Sequence, residues 1–350
     1  MSIKWDGNKI AGETLLDFIG RTPLLKLQKI PKEEGVDNEI LVKLEYFNPT
    51  GSLKDRIYYE MLTKAIKNGE LKPGMEILEA STGNAGISCA FVGELLGYKV
   101  TIVMPEGMSD ERKKFMRAYG AKITFTPGAE SDVDLCVKKV NELKKANPGK
   151  YYQPGQFINS ANVDAHYKTT GPEIWEQANK KVDCFLASQG TGGTVSGVGR
   201  YLREQNPKVA LYAVEPTEAP LLSKRTWGSH KIEGIGDGFV PLTLDLGILT
   251  GIVTTTSYES IEMAKRLARE EGLFCGISSG CNIVAAIKIA KRHPKLKRIV
   301  TIINDTGQRY FSTELCGEVK KVEIPEREHP LDECSIRELN KHQSKWEIIE

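Results

Sequence analysis

The sequence predicts an α/β protein with two α/β domains, each with a mostly parallel sheet flanked by helices. Two observations support this prediction. From about residue 53 onward, strand-like apolar runs alternate with helical patterns, which is typical of parallel sheets with helices on both faces. A turn-rich segment near residue 150 separates two parts of similar size, and 350 residues suffice for two hydrophobic cores.

Each predicted element follows from its residue pattern. Short apolar runs bounded by turn residues predict strands, and apolar residues spaced i, i+3, i+4 predict amphipathic helices. The predicted strands are residues 76–80, 99–104, 121–126, 182–187, 209–214 and 298–303. The predicted helices are residues 84–96, 109–119, 133–145, 164–177, 257–271 and 282–292.

The domain boundary is predicted at Asn147-Pro148-Gly149-Lys150, with Pro154-Gly155 just beyond it. Residues 1–150 then form an N-terminal α/β domain, part of whose first segment can cross to the other domain. Residues 151–323 form a C-terminal α/β domain, and residues 324–350 form a polar tail. In that tail, Ser335 and Glu338 have the spacing of a capping box before a short helix.

The composition indicates small-molecule partners. The 48 basic and 46 acidic residues are mixed along the chain, and the net charge of +2 favours neither nucleic acid nor an anionic membrane as a partner. The N-terminus lacks the apolar core of a signal peptide, and no apolar run approaches the roughly 18 residues of a membrane span, so we expect a cytoplasmic protein. The seven cysteines form no Cys-x-x-Cys pair and indicate reduced structural thiols, with no metal site.

The most informative motif is the glycine-rich loop Gly190-Thr191-Gly192-Gly193-Thr194, which follows a predicted strand and opens a helix. Its backbone N–H groups, two hydroxyl groups and the positive end of the helix favour a bound phosphate. A plain strand-to-helix turn is the alternative. A dinucleotide fits less well, because Val195 stands where the Rossmann fingerprint requires a third glycine, although Glu215 resembles its ribose-binding acid.

Two further loops precede helical patterns. The segment Ser81-Thr82-Gly83-Asn84-Ala85 offers hydroxyl, amide and N–H groups that could hold a carboxylate; alternatively, Ser81 or Thr82 simply caps the helix. Ser278, between Gly276 and Gly280, could present a hydroxyl group to a ring nitrogen.

Lys54 follows a turn and begins a predicted helix. The positive end of a helix dipole disfavours an ammonium group, which helps to keep an amine neutral and nucleophilic for Schiff-base chemistry. The alternative is an ordinary solvated lysine, and its position alone does not exclude that.

Together these motifs resemble the fold-type II pyridoxal-phosphate enzymes, which share the fold of the tryptophan synthase β chain. Within them, the sequence is similar to the cysteine synthase and cystathionine β-synthase family over roughly residues 14–313. The segments that carry the resemblance are residues 19–24, 43–56, the Ser81 loop, 104–106, 156–157, 169–175, the Gly190 loop, 233–236, the Ser278 loop and 305–310.

The resemblance implies pyridoxal 5′-phosphate as the cofactor, small amino-acid substrates and a homodimer. It makes Lys54 the point of covalent attachment, Gly190 through Thr194 the phosphate cup and Ser278 the partner of the pyridine nitrogen. Asn84 would then bind the ring hydroxyl, and the Ser81 loop together with Gln156 would bind the substrate α-carboxylate.

Three positions differ from common cysteine synthases. Ala85 replaces the usual threonine, Gln189 stands where a small or aliphatic residue is usual, and Asp237 lies between two glycines where a small residue is general. The carboxylate of Asp237 could activate water or another protic nucleophile, or it could merely cap a turn.

We therefore expect a β-replacement enzyme of the cysteine synthase type, acting on O-acetylserine or a similar amino acid with sulfide or another nucleophile. If Asp237 is a catalytic base, the alternative is an enzyme that consumes cysteine and releases sulfide, giving serine or a thioether. A third hypothesis, from another functional class, is a sensor or scaffold protein that has the same fold but no catalytic activity. The presence of Lys54, Asn84, Gln156 and Ser278 together argues against this hypothesis.

Overall fold

The computed structural model describes residues 11–128, 132–317 and 330–350. Their strands form one sheet of seven strands and one of four. The strands are β1 Leu24–Lys26, β2 Glu39–Leu44, β3 Glu76–Ala80, β4 Val100–Pro105, β5 Lys122–Thr126, β6 Tyr151–Tyr152, β7 Cys184–Ser188, β8 Ala210–Pro216, β9 Gly251–Thr255, β10 Arg298–Ile303 and β11 Glu347–Ile349.

Both sheets are mostly parallel, which confirms the predicted fold class. The larger sheet has the order β1-β2-β10-β7-β8-β9-β11, and only β1 runs antiparallel to its neighbour. The smaller sheet has the order β5-β4-β3-β6 and is parallel throughout. All six predicted strands are present within one or two residues of their predicted bounds, whereas β1, β2, β6, β9 and β11 were not predicted.

Sheet membership does not simply follow the chain. Strands β1 and β2 belong to the larger sheet, where β2 pairs in parallel with β10, so the N-terminal segment crosses to the second half of the molecule. The two-residue strand β6 lies beyond residue 150 but pairs with β3 in the smaller sheet. The division of the chain at residue 150 stays a prediction.

Helices cover both faces of each sheet. They are α1 Ile30–Glu33, α2 Lys54–Lys67, α3 Asn84–Leu95, α4 Asp110–Ala118, α5 Val133–Ala146, α6 Ser160–Ala165, α7 Gly171–Gln177, α8 Gly193–Gln205, α9 Leu221–Lys224, α10 Ser257–Glu270, α11 Ile277–Arg292 and α12 Glu333–His342. Single 3-10 turns span Leu15–Phe18, Glu45–Phe47, Leu246–Ile248, Gly307–Tyr310 and Gln343–Lys345. No helix among the described residues combines the length and apolar character needed to cross a membrane.

Three helix predictions need correction. Helix α3 is not amphipathic, because residues 85–93 are all buried between the smaller sheet and its neighbouring helices. The helix predicted over residues 164–177 is interrupted by a π-helical turn, His166–Thr170. The capping box at Ser335 is wrong, because Asp332 caps α12 and its carboxylate accepts the Ser335 N–H at 3.0 Å.

The hydrophobic cores lie on both faces of each sheet. One face of the larger sheet packs on α10 and α11, and the opposite face packs on α7 and α8. Helices α2, α3 and α4 cover one face of the smaller sheet, and α5 covers the other. This packing fixes the carboxyl ends of β3, β7 and β10, and the loops that follow these strands meet at one cavity.

Candidate active site

A cavity of about 850 Å³, partly open to solvent, lies between loops from both sheets. It brings together every residue predicted for the site except Gly193, which begins α8 directly behind the loop. The predicted residues that line it are Lys54, Ser81, Thr82, Gly83, Asn84, Ala85, Gln156, Gly190, Thr191, Gly192, Thr194, Asp237 and Ser278. The three loops that precede helices therefore form a single site.

Lys54 is the first residue of α2, as predicted, and its side chain lines the cavity. Burial lowers the pKa of its amine, while the carboxylates of Asp237 and Asp305 act in the opposite direction. A lowered pKa favours the neutral, nucleophilic form of the amine.

The turn before Lys54 is held by a buried carboxylate. Asp55 accepts the N–H of Thr50 at 2.7 Å and the hydroxyl groups of Thr50 and Ser88 at 2.5 and 2.6 Å. Arg56 then anchors α2 through buried ion pairs with Glu45 and Glu173, both at 2.7 Å. These contacts tie the start of the lysine helix to elements of both sheets.

The Gly190 loop enters α8 through Gly192, which has φ +76° and so adopts a left-handed conformation that favours glycine. A Cβ atom at residue 190 would overlap the carbonyl oxygen of Gly234, which makes glycine necessary there as well. The hydroxyl groups of Thr191 and Thr194 and the first N–H groups of the 13-residue helix α8 then surround one end of the cavity. Such an arrangement suits an anion.

Two residues behind this loop were not predicted. Asn162 donates one amide hydrogen to Oγ1 of Thr191 at 3.0 Å and another to the Gln156 carbonyl at 2.8 Å, so it joins the Gly190 loop to the predicted carboxylate site. His166 lies with Nε2 at 3.1 Å from Oγ1 of Thr194. Neither residue belongs to a recognisable local motif.

The Ser81 side chain stabilises the start of α3. Oγ of Ser81 accepts the N–H groups of Gly83 at 3.2 Å and Gly86 at 2.7 Å, so this side chain does cap the start of α3. Its hydroxyl hydrogen can still be donated to a ligand. The Gln156 amide lies across the same end of the cavity, with Nε2 at 3.4 Å from the carbonyl oxygen of Ala80.

Ser278 lies in the first turn of α11. Nδ2 of Asn304 donates to Oγ of Ser278 at 3.0 Å and to Oγ of Ser188 at 3.1 Å. Because Ser278 accepts from Asn304, its own hydrogen can be donated into the cavity. Asn304 was missed because no local pattern distinguishes it from other residues that follow a strand.

Asp237 lies in a turn between Gly236 (φ +71°) and Gly238 (φ +81°), and its side chain lines the cavity. Among the carboxylates that act on Lys54, Asp237 raises the pKa of that amine most. Gln189 connects this turn to the Gly190 loop, because its carbonyl accepts the Gly236 N–H at 3.2 Å and its amide donates to the Gly190 carbonyl at 2.6 Å. Asp237 therefore lies near enough to Lys54 to act on its charge, and the unusual glutamine has a structural role.

Comparison with known proteins identifies the family. Residues 15–305 match the family described as pyridoxal-phosphate dependent enzyme. This chain belongs to the pyridoxal-phosphate dependent enzymes. It is 48% identical over 305 residues to cysteine synthase 3 of Caenorhabditis elegans, across 87% of this chain and 89% of the relative.

Solved structures of this pyridoxal-phosphate dependent family have the same architecture. Cysteine synthase from Entamoeba histolytica superimposes with a TM-score of 0.85 and 35% identity, covering 99% of both chains. A hydrogen sulfide-producing enzyme from Fusobacterium nucleatum superimposes with a TM-score of 0.81 and 40% identity, covering 86% of this chain and all of its own.

The cavity fits the cofactor of the pyridoxal-phosphate dependent family. It contains a partly buried amine with a lowered pKa, a glycine-rich helix N-terminus with two hydroxyl groups, and a serine hydroxyl held by Asn304. These three features match an aldehyde, a phosphate and a ring nitrogen, respectively.

Proposed function

We propose that this chain catalyses a pyridoxal-phosphate-dependent β-replacement of the cysteine synthase type. The first substrate is O-acetylserine or a similar β-substituted alanine, and the second is sulfide or another nucleophile. The observation that carries the proposal is the convergence of Lys54, the Gly190 loop and Ser278 on one cavity in a chain of this family.

We assign the cofactor contacts to residues whose chemistry matches each part of pyridoxal phosphate. Lys54 is the point of covalent attachment, and residues Gly190, Thr191, Gly192, Gly193 and Thr194 hold the phosphate. Ser278 donates to the ring nitrogen, and Asn84 binds the ring oxygen. When bound, the cofactor supplies the electron sink that acidifies the substrate α-hydrogen and allows the β-substituent to leave.

The residues of the chain position the substrate and move its proton. The Ser81 loop, from Ser81 through Thr82, Gly83, Asn84 and Ala85, together with Gln156, binds the α-carboxylate through N–H and hydroxyl donors. The amine of Lys54 removes the α-proton, and its lowered pKa favours the neutral form that can accept a proton. Ser278 is neutral, so it withdraws less electron density from the ring than an acidic partner would, which suits β-elimination.

Asp237 supports a second candidate function, the consumption of cysteine with release of sulfide. Its carboxylate lines the same cavity as Lys54 and acts on the charge of that amine, so it could activate water or a thiol there as the second nucleophile. Two of the similar solved structures are hydrogen sulfide-producing enzymes. Serine or a thioether would then be the product.

One assay distinguishes the two candidates. The purified protein is incubated with O-acetylserine plus sulfide and, separately, with cysteine alone, and the products are identified. Asp237→Asn keeps the size of the side chain and removes the base, so capture of the second nucleophile should slow by roughly 10²- to 10⁴-fold if Asp237 acts as one. Asp110→Asn on the surface of α4 is the matched control. Wild-type turnover in Asp237→Asn would favour plain cysteine synthesis, and inactivity in both incubations would contradict the proposed function.

A homodimer and a cytoplasmic location stay predictions. The first rests on the family resemblance and the second on the sequence alone.

A further inference from the structure

The side chain of Asn84 is held at both ends of its amide group by the segment that follows β10. Nδ2 of Asn84 donates to Oδ2 of Asp305 at 2.7 Å. Oδ1 of Asn84 accepts from Nη1 of Arg309. The two partners lie 221 and 225 residues away in sequence, so the contact joins the N-terminus of α3 to the larger sheet.

The two groups that hold Asn84 are themselves fixed. Asp305 and Arg309 are both fully buried. Tyr310 donates its hydroxyl hydrogen to the same Oδ2 of Asp305 at 2.8 Å, and Gly276 packs so closely that a Cβ atom there would overlap the carboxylate. Arg309 also donates to the carbonyl of Thr50, in the turn before Lys54. The carboxylate and the guanidinium therefore cannot readily turn away from Asn84.

These partners decide which way the amide group faces. An Asn side chain has one acceptor oxygen and an NH₂ group with two hydrogens, whereas a carboxylate only accepts and a guanidinium only donates. Turning the amide over would set oxygen against carboxylate and NH₂ against guanidinium. One Nδ2 hydrogen is bound to Asp305, so the other remains for a ligand in the cavity that Asn84 lines.

We propose that Asp305 and Arg309 are positioning residues that make Asn84 a hydrogen-bond donor to the ring oxygen of pyridoxal phosphate. A donor stabilises an ionised oxygen more than a protonated one, so this arrangement favours the ionised ring oxygen at neutral pH. The inference rests on the proposed function, because it assumes that the cofactor binds in this cavity.

The test uses the absorption spectrum of the holoenzyme, in which separate bands report the ionised and the protonated ring oxygen. Asp305→Asn replaces a group that only accepts by an amide that can also donate, so the partner no longer requires Asn84 to donate, and the Asn84 amide can turn its oxygen toward the cofactor. We expect the ratio of the ionised to the protonated band to fall roughly tenfold, which is the effect of losing one hydrogen bond to a charged group. The titration midpoint, the pH at which half of the ring oxygen is ionised, should rise accordingly. Loss of the Asp305 charge without reorientation would instead lower that midpoint, so a lower midpoint overturns the proposal.

Two further variants separate positioning from general damage to the site. Tyr212→Phe removes a hydroxyl group that donates to Glu347 at 3.0 Å and does not line the cavity, so it should leave the band ratio near that of wild type. In an Asn84→Ala background, Asp305→Asn should no longer lower the band ratio, because that effect requires the Asn84 amide, and only the opposite effect of the lost charge should remain. An undiminished effect in that background overturns the proposal.

If Asp305→Asn does not fold, a second variant, Asn84→Asp, still tests the proposal. Asn84→Asp replaces the donor nitrogen by oxygen and should lower the band ratio in the same direction, and an unchanged ratio in that variant also overturns the proposal. Failure of the wild-type protein to form any lysine-bound band would contradict the proposed function itself, which distinguishes the two failures.

Discussion

The hydroxyl oxygen of Thr194 lies 3.1 Å from Nε2 of His166, and the other ring nitrogen of that histidine lies 2.9 Å from Oγ1 of Thr170. Burial lowers the pKa of His166 to about 3, so the ring is neutral at physiological pH. A neutral ring can donate through only one nitrogen. Since a phosphate only accepts, the arrangement that leaves the Thr194 hydrogen for the phosphate has Nε2 donating to Thr194 and Thr170 donating to Nδ1.

Replacing His166 by leucine should therefore weaken cofactor binding, because the Thr194 hydroxyl loses the group that orients it. The loss of one neutral hydrogen bond is worth about 0.5–1.5 kcal/mol, or roughly a two- to tenfold rise in the dissociation constant of pyridoxal phosphate. Equilibrium titration of the apoenzyme with pyridoxal phosphate measures this dissociation constant. Tyr167→Phe is the control, because the Tyr167 hydroxyl is bonded to Glu204 at the surface. Equal affinity in both variants would exclude a role for the histidine.

The double variant Thr191→Val with Thr194→Val should lose cofactor affinity more than chemistry. These hydroxyl groups are expected to bind the cofactor phosphate, which takes no part in the reaction at the substrate carbon. Each charge-assisted hydrogen bond to it contributes about 1.5–3 kcal/mol to cofactor binding. The dissociation constant and the turnover at saturating cofactor are measured separately. Unchanged affinity would mean that the phosphate binds elsewhere.

Glu79 should give the protein a measurable dependence of stability on pH. Its buried carboxylate accepts the N–H of Gly155 at 2.9 Å and that of Ala80 at 3.0 Å, yet burial raises its pKa to about 7. Because this pKa lies above the value in the unfolded chain, the folded state holds a proton that the unfolded state releases. The resulting stabilisation is present in acid and is lost as the pH rises through 7.

The variant Glu79→Gln isolates this effect. Between pH 5 and pH 8, the free energy of unfolding of the wild type should fall by about 2–3 kcal/mol relative to the variant, as measured by urea denaturation. The buried Glu215, whose pKa is also about 7, is present in both proteins and cancels in the difference. Parallel pH profiles would show that Glu79 does not titrate in this range.

Local signals account for the parts of the site that the sequence predicted. Lys54 and the Gly190 loop lie at the start of helices that follow turn or strand patterns. A few neighbouring residues in the sequence therefore suffice to predict that they are functional. Asn162 and Asn304 could not be identified in this way, since each is a single buried amide whose partners depend on how distant segments pack. The start of α12 was also predicted wrongly, because Asp332 and Ser335 are both suitable capping residues and only the structure shows that Asp332 is the cap.

The strands outside the prediction have a related explanation. Strand β2 was not distinguished because its pairing with β10 joins residues about 260 positions apart, and only that pairing gives it a place in the larger sheet. The π-helical turn at His166 likewise has no sequence signature, although it places the histidine against Thr194 of the Gly190 loop.

The most direct test of the central claim is to find which residue carries the cofactor. The protein is loaded with pyridoxal phosphate, reduced with borohydride, digested and analysed by mass spectrometry, with Lys54→Ala and, as a control on the surface of the same helix, Lys64→Ala. We predict the reduced adduct on Lys54, and loss of both the adduct and the visible absorption band in Lys54→Ala alone. An adduct on another lysine of the wild type, or a visible band retained in Lys54→Ala, would contradict the account.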